Sequence, residues 1–188
     1  MLHNSPIYVI DVLQKSQIHA LLDLERDNLK DNLDSETIET QGFVTFMYEP
    51  TDIEHMMSDA PQIIARADDK IIGYALAITR QTAEKIPLMR IVNDLCTQIP
   101  VLSDKKFYFM GQVCVRESYR GKGIFDALYS EHKKVFENKY DALVTEIATD
   151  NPRSLNAHKR VGFEIIYQYT DDYHKKEWNV VAWFFHKI

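Results

Sequence analysis

The stretch Phe107–Phe125 reads FYFMGQVCVRESYRGKGIF, and its two halves favour opposite conformations. Phe107–Val115 is aromatic, β-branched and free of proline, the composition of a strand buried on both faces. Arg120–Phe125 then carries two of the chain's six glycines, Gly121 and Gly123. Glycine enters positive φ without steric cost, so the pair marks a tight strand-to-helix turn. Beyond it the period changes. Ile124, Phe125, Leu128, Tyr129, His132, Val135 and Phe136 share one face of a helix, and Asp126, Ser130, Lys133, Lys134 and Glu137 the other. The helix is expected over Gly123–Tyr140. A strand, a glycine turn and an amphipathic helix make the βα unit of an α/β protein.

Such a turn has a chemical use. A helix N-terminus presents free N–H groups and positive dipole density, and glycine lets an anion approach the backbone closely. Arg120 and Lys122 add positive charge in a chain whose net charge is −6. A pyrophosphate cradle and an ordinary turn are both compatible with the glycine pair alone. Two phosphate motifs are excluded: there is no G-x-x-x-x-G-K-[ST], and Asp126 occupies the third glycine position of G-x-G-x-x-G.

Working outward, Ile7–Val12 reads as a strand and Gln14–Leu29 as an amphipathic helix through Ile18, Leu21 and Leu22. Asp31–Gln41 is polar and reads as a loop, and Gly42–Tyr48 as a strand. Thr51–Ser58 is expected to be a short helix capped by Thr51, with Glu54 completing a capping box. Gln62–Ala67 and Lys70–Thr79 form a hairpin around Asp68-Asp69. Thr82–Thr97 is helical, its regular part starting at Pro87. After the central unit come a strand at Ala142–Ala148, a helix at Pro152–Val161, and closing strands at Phe163–Thr170 and Trp178–His186. The fold class is mixed α/β (α+β): one domain over residues 1–188, with a twisted mixed sheet of about seven strands flanked by helices.

A second constellation follows the central unit: Asn151-Pro152-Arg153-Ser154, His158, then Val161-Gly162-Phe163. Pro152 suits the first helical position, Asn151 the N-cap and Gly162 the C-terminal stop. Taken together and in this order, the two constellations resemble the GNAT superfamily of acyl-CoA-dependent N-acetyltransferases. The first resembles its pyrophosphate loop, [QR]-x-x-G-x-[GA]; the second resembles N-x-x-[AS]-x-x-x-Y-x-x-x-G-F. Phe125 stands where the loop usually has Gly or Ala, and His158 where many members carry a general-acid tyrosine.

The resemblance implies that acetyl-CoA lies between two splayed parallel strands, here Phe107–Val115 and Ala142–Ala148. Backbone groups of Val113, Cys114 and Val115 would pair with pantetheine. The Gly121, Lys122, Gly123, Ile124 and Phe125 backbone, with the Arg120 and Lys122 side chains, would hold the pyrophosphate. Asn151 would donate its amide to pantetheine while its oxygen caps the helix, and Ser154 would face the same groove. Arg116, Arg153, Lys159 and Arg160 are candidates for the adenosine 3′-phosphate. For catalysis His158 is the candidate acid and Glu146, on the second splayed strand, the candidate base. Phe125, on the apolar stripe, is expected to turn inward and leave the loop open.

Composition bounds the rest. With 45% apolar and 27% charged residues the chain is expected to be globular. A net charge of −6 argues against a nucleic-acid partner. The longest apolar run, Ile71–Ile78, is far short of the roughly 20 residues of a membrane span, so a cytoplasmic protein is expected. Two cysteines, Cys96 and Cys114, make neither a disulfide framework nor a zinc site, and the seven histidines show no metal spacing. Cys114, between Val113 and Val115, reads as core. Asp171-Asp172-Tyr173-His174 reads as a loop rather than a metal cluster. The aromatic closing strand (Trp178, Trp183, Phe184, Phe185) is expected to serve the core, the acceptor pocket or the edge of a homodimer. The expected function is transfer of an acetyl group from acetyl-CoA to a primary amine of a small molecule or peptide. The alternative is a non-catalytic acyl-CoA sensor or scaffold on the same fold.

Overall fold

The computed structural model describes residues 8–41, 43–171 and 175–186. In chain order the elements are β1 (Val9–Val12), α1 (Ile18–Asp27), α2 (Ser35–Gln41), α3 (Pro50–Asp59), β2 (Ile63–Ala67), β3 (Lys70–Ile78), α4 (Arg80–Ala83), α5 (Pro87–Thr97), β4 (Phe107–Val115), α6 (Ile124–Phe136), β5 (Ala142–Ala148), α7 (Pro152–Val161), β6 (Glu164–Thr170) and β7 (Glu177–Phe184). All seven strands form one sheet in the order β1-β2-β3-β4-β5-β7-β6. Only β4 and β5 run parallel; the other neighbours are antiparallel.

Each face of the sheet carries its own core. One layer packs α1, α3 and α5 against Tyr74, Leu76, Phe107, Phe109 and Val144. The other packs α6 against Ile72, Ala75, Tyr108, Met110, Leu143 and Val181. This arrangement explains why β3 and β4 read as continuous apolar runs: both of their faces are covered.

The decisive irregularity is in β4. Leu76 of β3 faces Gln112, but the next residue, Ala77, faces Met110, so Gly111 is an extra residue, a β-bulge. The bulge inverts the strand's alternation. Phe107 and Phe109 point into the α1 layer, and after Gly111 it is Cys114 that does so, while Val113 and Val115 join the α6 layer. A Cβ on Gly111 would overlap Ile78 Cδ1 and lie 2.9 Å from the Tyr48 hydroxyl. Glycine is therefore required here by close packing. The parallel pairing of β4 with β5 covers only Phe107 to Phe109 against Ala142 to Val144, and beyond the bulge the strands part. At the fork Thr145 Oγ1 donates to the Met110 carbonyl at 2.9 Å, in place of a ladder bond.

Several sequence expectations need correction. Residues 35–41, expected to be loop, form α2. Phe43–Tyr48, expected to be a strand, makes a single bridge, Leu29 to Val44, because its other backbone partners are side chains. The N-cap of α3 is Glu49, not Thr51; its carboxylate and that of Asp52 form the capping box, with Pro50 at the first position. The closing strand β7 is interior to the sheet, so the free edges are β1 and β6. Ile7, Gly42 and the Asp172–His174 part of the expected loop lie outside the described residues. Among the described residues no helix is long and apolar enough to cross a membrane, and no group of three potential ligands could hold a metal ion.

Candidate active site

The glycine turn is built as its sequence suggests. Gly121 and Gly123 have φ of 73° and 78°, the left-handed region that penalises a Cβ. A Cβ at Gly121 would meet nothing within 4 Å, so backbone conformation, not crowding, selects glycine there. Gly123 is the N-cap of α6 and supplies no side-chain cap. The first N–H groups of the helix are left without intrahelical partners. They open onto a groove of about 680 Å³ lined by Val113, Val115, Gly121, Gly123, Ile124, Phe125, Pro152, Arg153 and Ser154. Phe125 turns inward as expected: its ring packs on Tyr129 and edge-on to His158, with centroids 4.9 and 5.3 Å away.

The loop's cations also hold the protein to itself. The Arg120 guanidinium donates to the Val115 carbonyl at 2.9 Å, Asn28 Oδ1 at 2.6 Å and Gln41 Oε1 at 3.2 Å. It ties the loop to the end of β4 and to α1 and α2 while lining the groove. Lys122 Nζ donates to the Ser118 carbonyl at 3.0 Å. Arg160 pairs with Asp126 at 2.8 Å, offsetting an acidic side chain in the first turn of α6, and Arg116 reaches Asp27 at 3.3 Å. Arg153 lines the groove.

Backbone parity sorts the three β4 residues. Arg116 N–H donates to the Ile72 carbonyl at 2.8 Å, and Tyr74 faces Cys114. Hydrogen-bonded pairs alternate along an antiparallel ladder. The Cys114 N–H and C=O therefore face β3 and are spent there. Val113 and Val115 turn their backbone groups toward the fork, where the Val115 carbonyl accepts from Arg120 Nε. Cys114 is core, and burial pushes its thiol up to about 12.

Across the fork, α7 is fixed by the expected caps. Asn151 Oδ1 accepts from Ser154 N–H at 3.2 Å, and its amide reaches the Phe43 carbonyl at 3.3 Å. One amide hydrogen thus anchors the 43–48 segment. Gly162, φ 124°, ends the helix; a Cβ there would lie 2.8 Å from Trp183 Nε1.

His158 is buried at 3% exposure and both its nitrogens are engaged. Nδ1 lies 2.7 Å from the Ser154 carbonyl, which only accepts, so Nδ1 carries the proton. Nε2, 2.7 Å from the Tyr129 hydroxyl, must then accept. Burial lowers the imidazole to about 4. A neutral ring whose only N–H is spent on a backbone carbonyl is a poor proton donor to the cleft. His158 thus lines the cavity with no free N–H to offer it, and its contacts position α7 and the Phe125 ring.

Glu146 is the opposite case. It lines a second cavity of about 140 Å³, walled by Phe43, Phe46, Phe109, Met89 and Trp178. Val113 and Ser154 line both cavities, so the two adjoin across the fork. Burial raises the Glu146 carboxyl to about 7, with Asp171 adding to the rise. A hydrogen bond from the Tyr169 hydroxyl, 2.8 Å from Oε1, holds it down in part. A carboxyl at this value exchanges protons at neutral pH.

Glu25 was not anticipated. It is fully buried on α1, raised by burial to about 7, and accepts from Tyr48 N–H and the Gln112 amide. Gln112 also donates to the Phe46 carbonyl at 2.8 Å and accepts from the Tyr74 hydroxyl. This network straps the 43–48 segment over the cavity. The signal was available: Glu25 lies four residues after Leu21 and seven after Ile18, on the apolar stripe. Glu25 lines neither cavity.

Comparison with known proteins decides the family. The model of the acetyltransferase (GNAT) family matches residues 18–163. The chain belongs to the GNAT acetyltransferase family. No curated protein sequence matches it. Solved structures of similar fold include yncA of Salmonella typhimurium, a putative acetyltransferase with its cofactor acetyl-CoA (TM-score 0.63, 11% identity, 97% of this chain and 96% of that one). NAA60 of Arabidopsis thaliana, in complex with acetyl-CoA, aligns at TM-score 0.60 and 16% identity over 94% and 99% of the chains. The ribosomal-protein-S18-alanine N-acetyltransferase of Escherichia coli aligns at 0.60 and 10% identity over 96% of each. As a GNAT, this protein is an acyl-CoA-dependent acetyltransferase with the seven-stranded open sheet of its structural neighbours.

Proposed function

We propose that this GNAT transfers acetyl from acetyl-CoA to a primary amine by direct attack in the β4–β5 fork, with Glu146 as general base. One observation carries the reading: a carboxyl raised to about 7 lines a cavity that adjoins the groove at the Gly121–Gly123 turn. The turn and the uncapped α6 N-terminus would take the pyrophosphate, and the backbone groups of Val113 with the N–H of Val115 would take pantetheine, the Val115 carbonyl being held by Arg120. Ser154 lies at the junction of the two cavities.

The chemistry needs a base more than an acid. An alkylamine has a pKa of about 10.4, so its free base at pH 7 costs about 4–5 kcal/mol. Glu146 removes that proton as the nitrogen attacks the thioester carbon. The C–S bond breaks and the sulfur leaves as thiolate, to be protonated afterwards. With a thiol pKa near 8.5 it leaves passably unaided, so the engagement of His158 is no obstacle.

Thiol release from acetyl-CoA, measured with and without amine, tests this. Wild type should release thiol only with amine present, and Glu146→Gln should lose roughly 10²–10⁴ in rate at pH 7 while binding acetyl-CoA normally. Binding without any amine-dependent release would favour the sensor alternative. Equal rates for wild type and Glu146→Gln would remove Glu146 from the mechanism.

A further inference from the structure

The lining of the Glu146 cavity carries information about the acceptor that neither the family nor the fold supplies. Among the described residues that wall it, Glu146 is the only charged side chain. The rest of the wall is uncharged: Phe43, Phe46, Phe109, Leu88, Met89 and Trp178 give it apolar surface, and Gln112, Thr145 and Asn151 line it while donating to the Phe46, Met110 and Phe43 carbonyls. The volume, about 140 Å³, matches that of an engineered apolar cavity of 150 Å³ known to admit benzene. We propose that the acceptor is a primary monoamine carrying one ring-sized apolar body and no carboxylate, of the 2-phenylethylamine type. This rests on the reading of Glu146 as the base.

Charge excludes the obvious competitors. An α-amino acid with its nitrogen at Glu146 holds its carboxylate within the apolar wall, with no cation to pair it. Lys30 and Lys176 lie over Phe43, and Lys176 over Trp178 as well, where both pair with Asp150. A carboxylate that reached either lysine would compete with Asp150 for it. A diamine fails the other way: its second ammonium lies in the apolar wall, or beside those lysines. A peptide N-terminus brings a carbonyl and an amide into a wall with few donors. An unpaired charge or polar group in such a wall costs more than a missing apolar contact.

The test is a competition among 2-phenylethylamine, phenylalanine, 1,4-diaminobutane and a peptide amide beginning with phenylalanine, read as thiol release from acetyl-CoA. Wild type should show kcat/KM at least about tenfold higher for 2-phenylethylamine than for any of the others. Leu88 lines the cavity in the first turn of α5 and is 45% exposed, so Leu88→Asp should fold; it should shift preference toward 1,4-diaminobutane by roughly tenfold. Equal or better turnover of any competitor by wild type, or no turnover of 2-phenylethylamine, overturns the proposal. Selectivity that persists while Glu146→Gln keeps full activity would instead overturn the base assignment alone, so the two failures are distinguishable.

Discussion

Replacing Tyr169 by phenylalanine removes one hydroxyl, and its effect on the pH profile can be worked from the geometry. The Tyr169 O–H donates to Glu146 Oε1 at 2.8 Å and stabilises the carboxylate against a burial effect that raises the group to about 7. A hydrogen bond to a charged group contributes about 1.5–3 kcal/mol. At about 1.4 kcal/mol per unit, its loss raises Glu146 by roughly one to two further units. The base form is about half populated at pH 7 in wild type and falls to roughly 1–10% in the variant. Activity at pH 7 should therefore drop about 5–50-fold, while activity well above the new value recovers. The assay is kcat/KM for the amine against pH, by thiol release. The amine's own titration enters both profiles equally, so their ratio isolates Glu146. A ratio that is flat with pH, whether at unity or at a uniform loss, would refute the reasoning.

Other outcomes follow from the same structure. His132 and His158 are lowered to about 4 by burial, so the unfolded chain binds more protons; their contribution is present above about 6.5 and lost as pH falls toward 4. Glu25 and Glu146 are raised to about 7, so their contribution is present below about 4.5 and lost as pH rises toward 7. Between about 4.5 and 6.5 the two pairs oppose each other. Glu146→Gln should therefore make thermal stability climb more steeply with pH in that window, by up to about 1.4 kcal/mol per pH unit, and an unchanged slope in melting curves would contradict it. Gly111→Ala forces a Cβ onto Ile78 at the bulge and should cost about 1–3 kcal/mol by overpacking, visible as a fall in Tm of several degrees. Arg120→Gln removes the tie among Val115, Asn28 and Gln41; acetyl-CoA affinity should weaken through loop disorder, and a calorimetric Kd equal to wild type would show that the tie is dispensable.

Local signals in the sequence carried far. Gly121, Gly123 and Gly162 adopt the positive φ their positions imply, Asn151 caps α7, and Pro87 starts the regular part of α5. Failures arose where long-range partners decide. Gly42–Tyr48 is apolar and aromatic like a strand, but Glu25, Gln112 and Asn151 take hydrogen bonds of its 43–48 part, and composition does not predict that. Residues 35–41 lack an apolar stripe, so helix propensity had nothing to add to. The bulge at Gly111 is a property of two strands in register and cannot be read from one. At the site, position alone suggested both Glu146 and His158. The environment separated them: both line the same cavity, but the imidazole has its two nitrogens engaged by Tyr129 and the Ser154 carbonyl, while burial raises the carboxyl to about 7.

If the Gly121–Gly123 turn holds acetyl-CoA in the β4–β5 fork, binding depends on an anion reaching the backbone at Gly123. A calorimetric titration of acetyl-CoA into wild type, Gly123→Asp and Gly123→Asn tests it most directly. Both substitutions meet open space, with Tyr8 Oη 3.8 Å from the added Cβ as the nearest atom, and Asp and Asn tolerate the left-handed region comparably. Expected are micromolar binding by wild type, modest weakening by Gly123→Asn, and loss of binding by Gly123→Asp at a thermal stability equal to that of Gly123→Asn. No binding by wild type, or equal binding by Gly123→Asp, would contradict it.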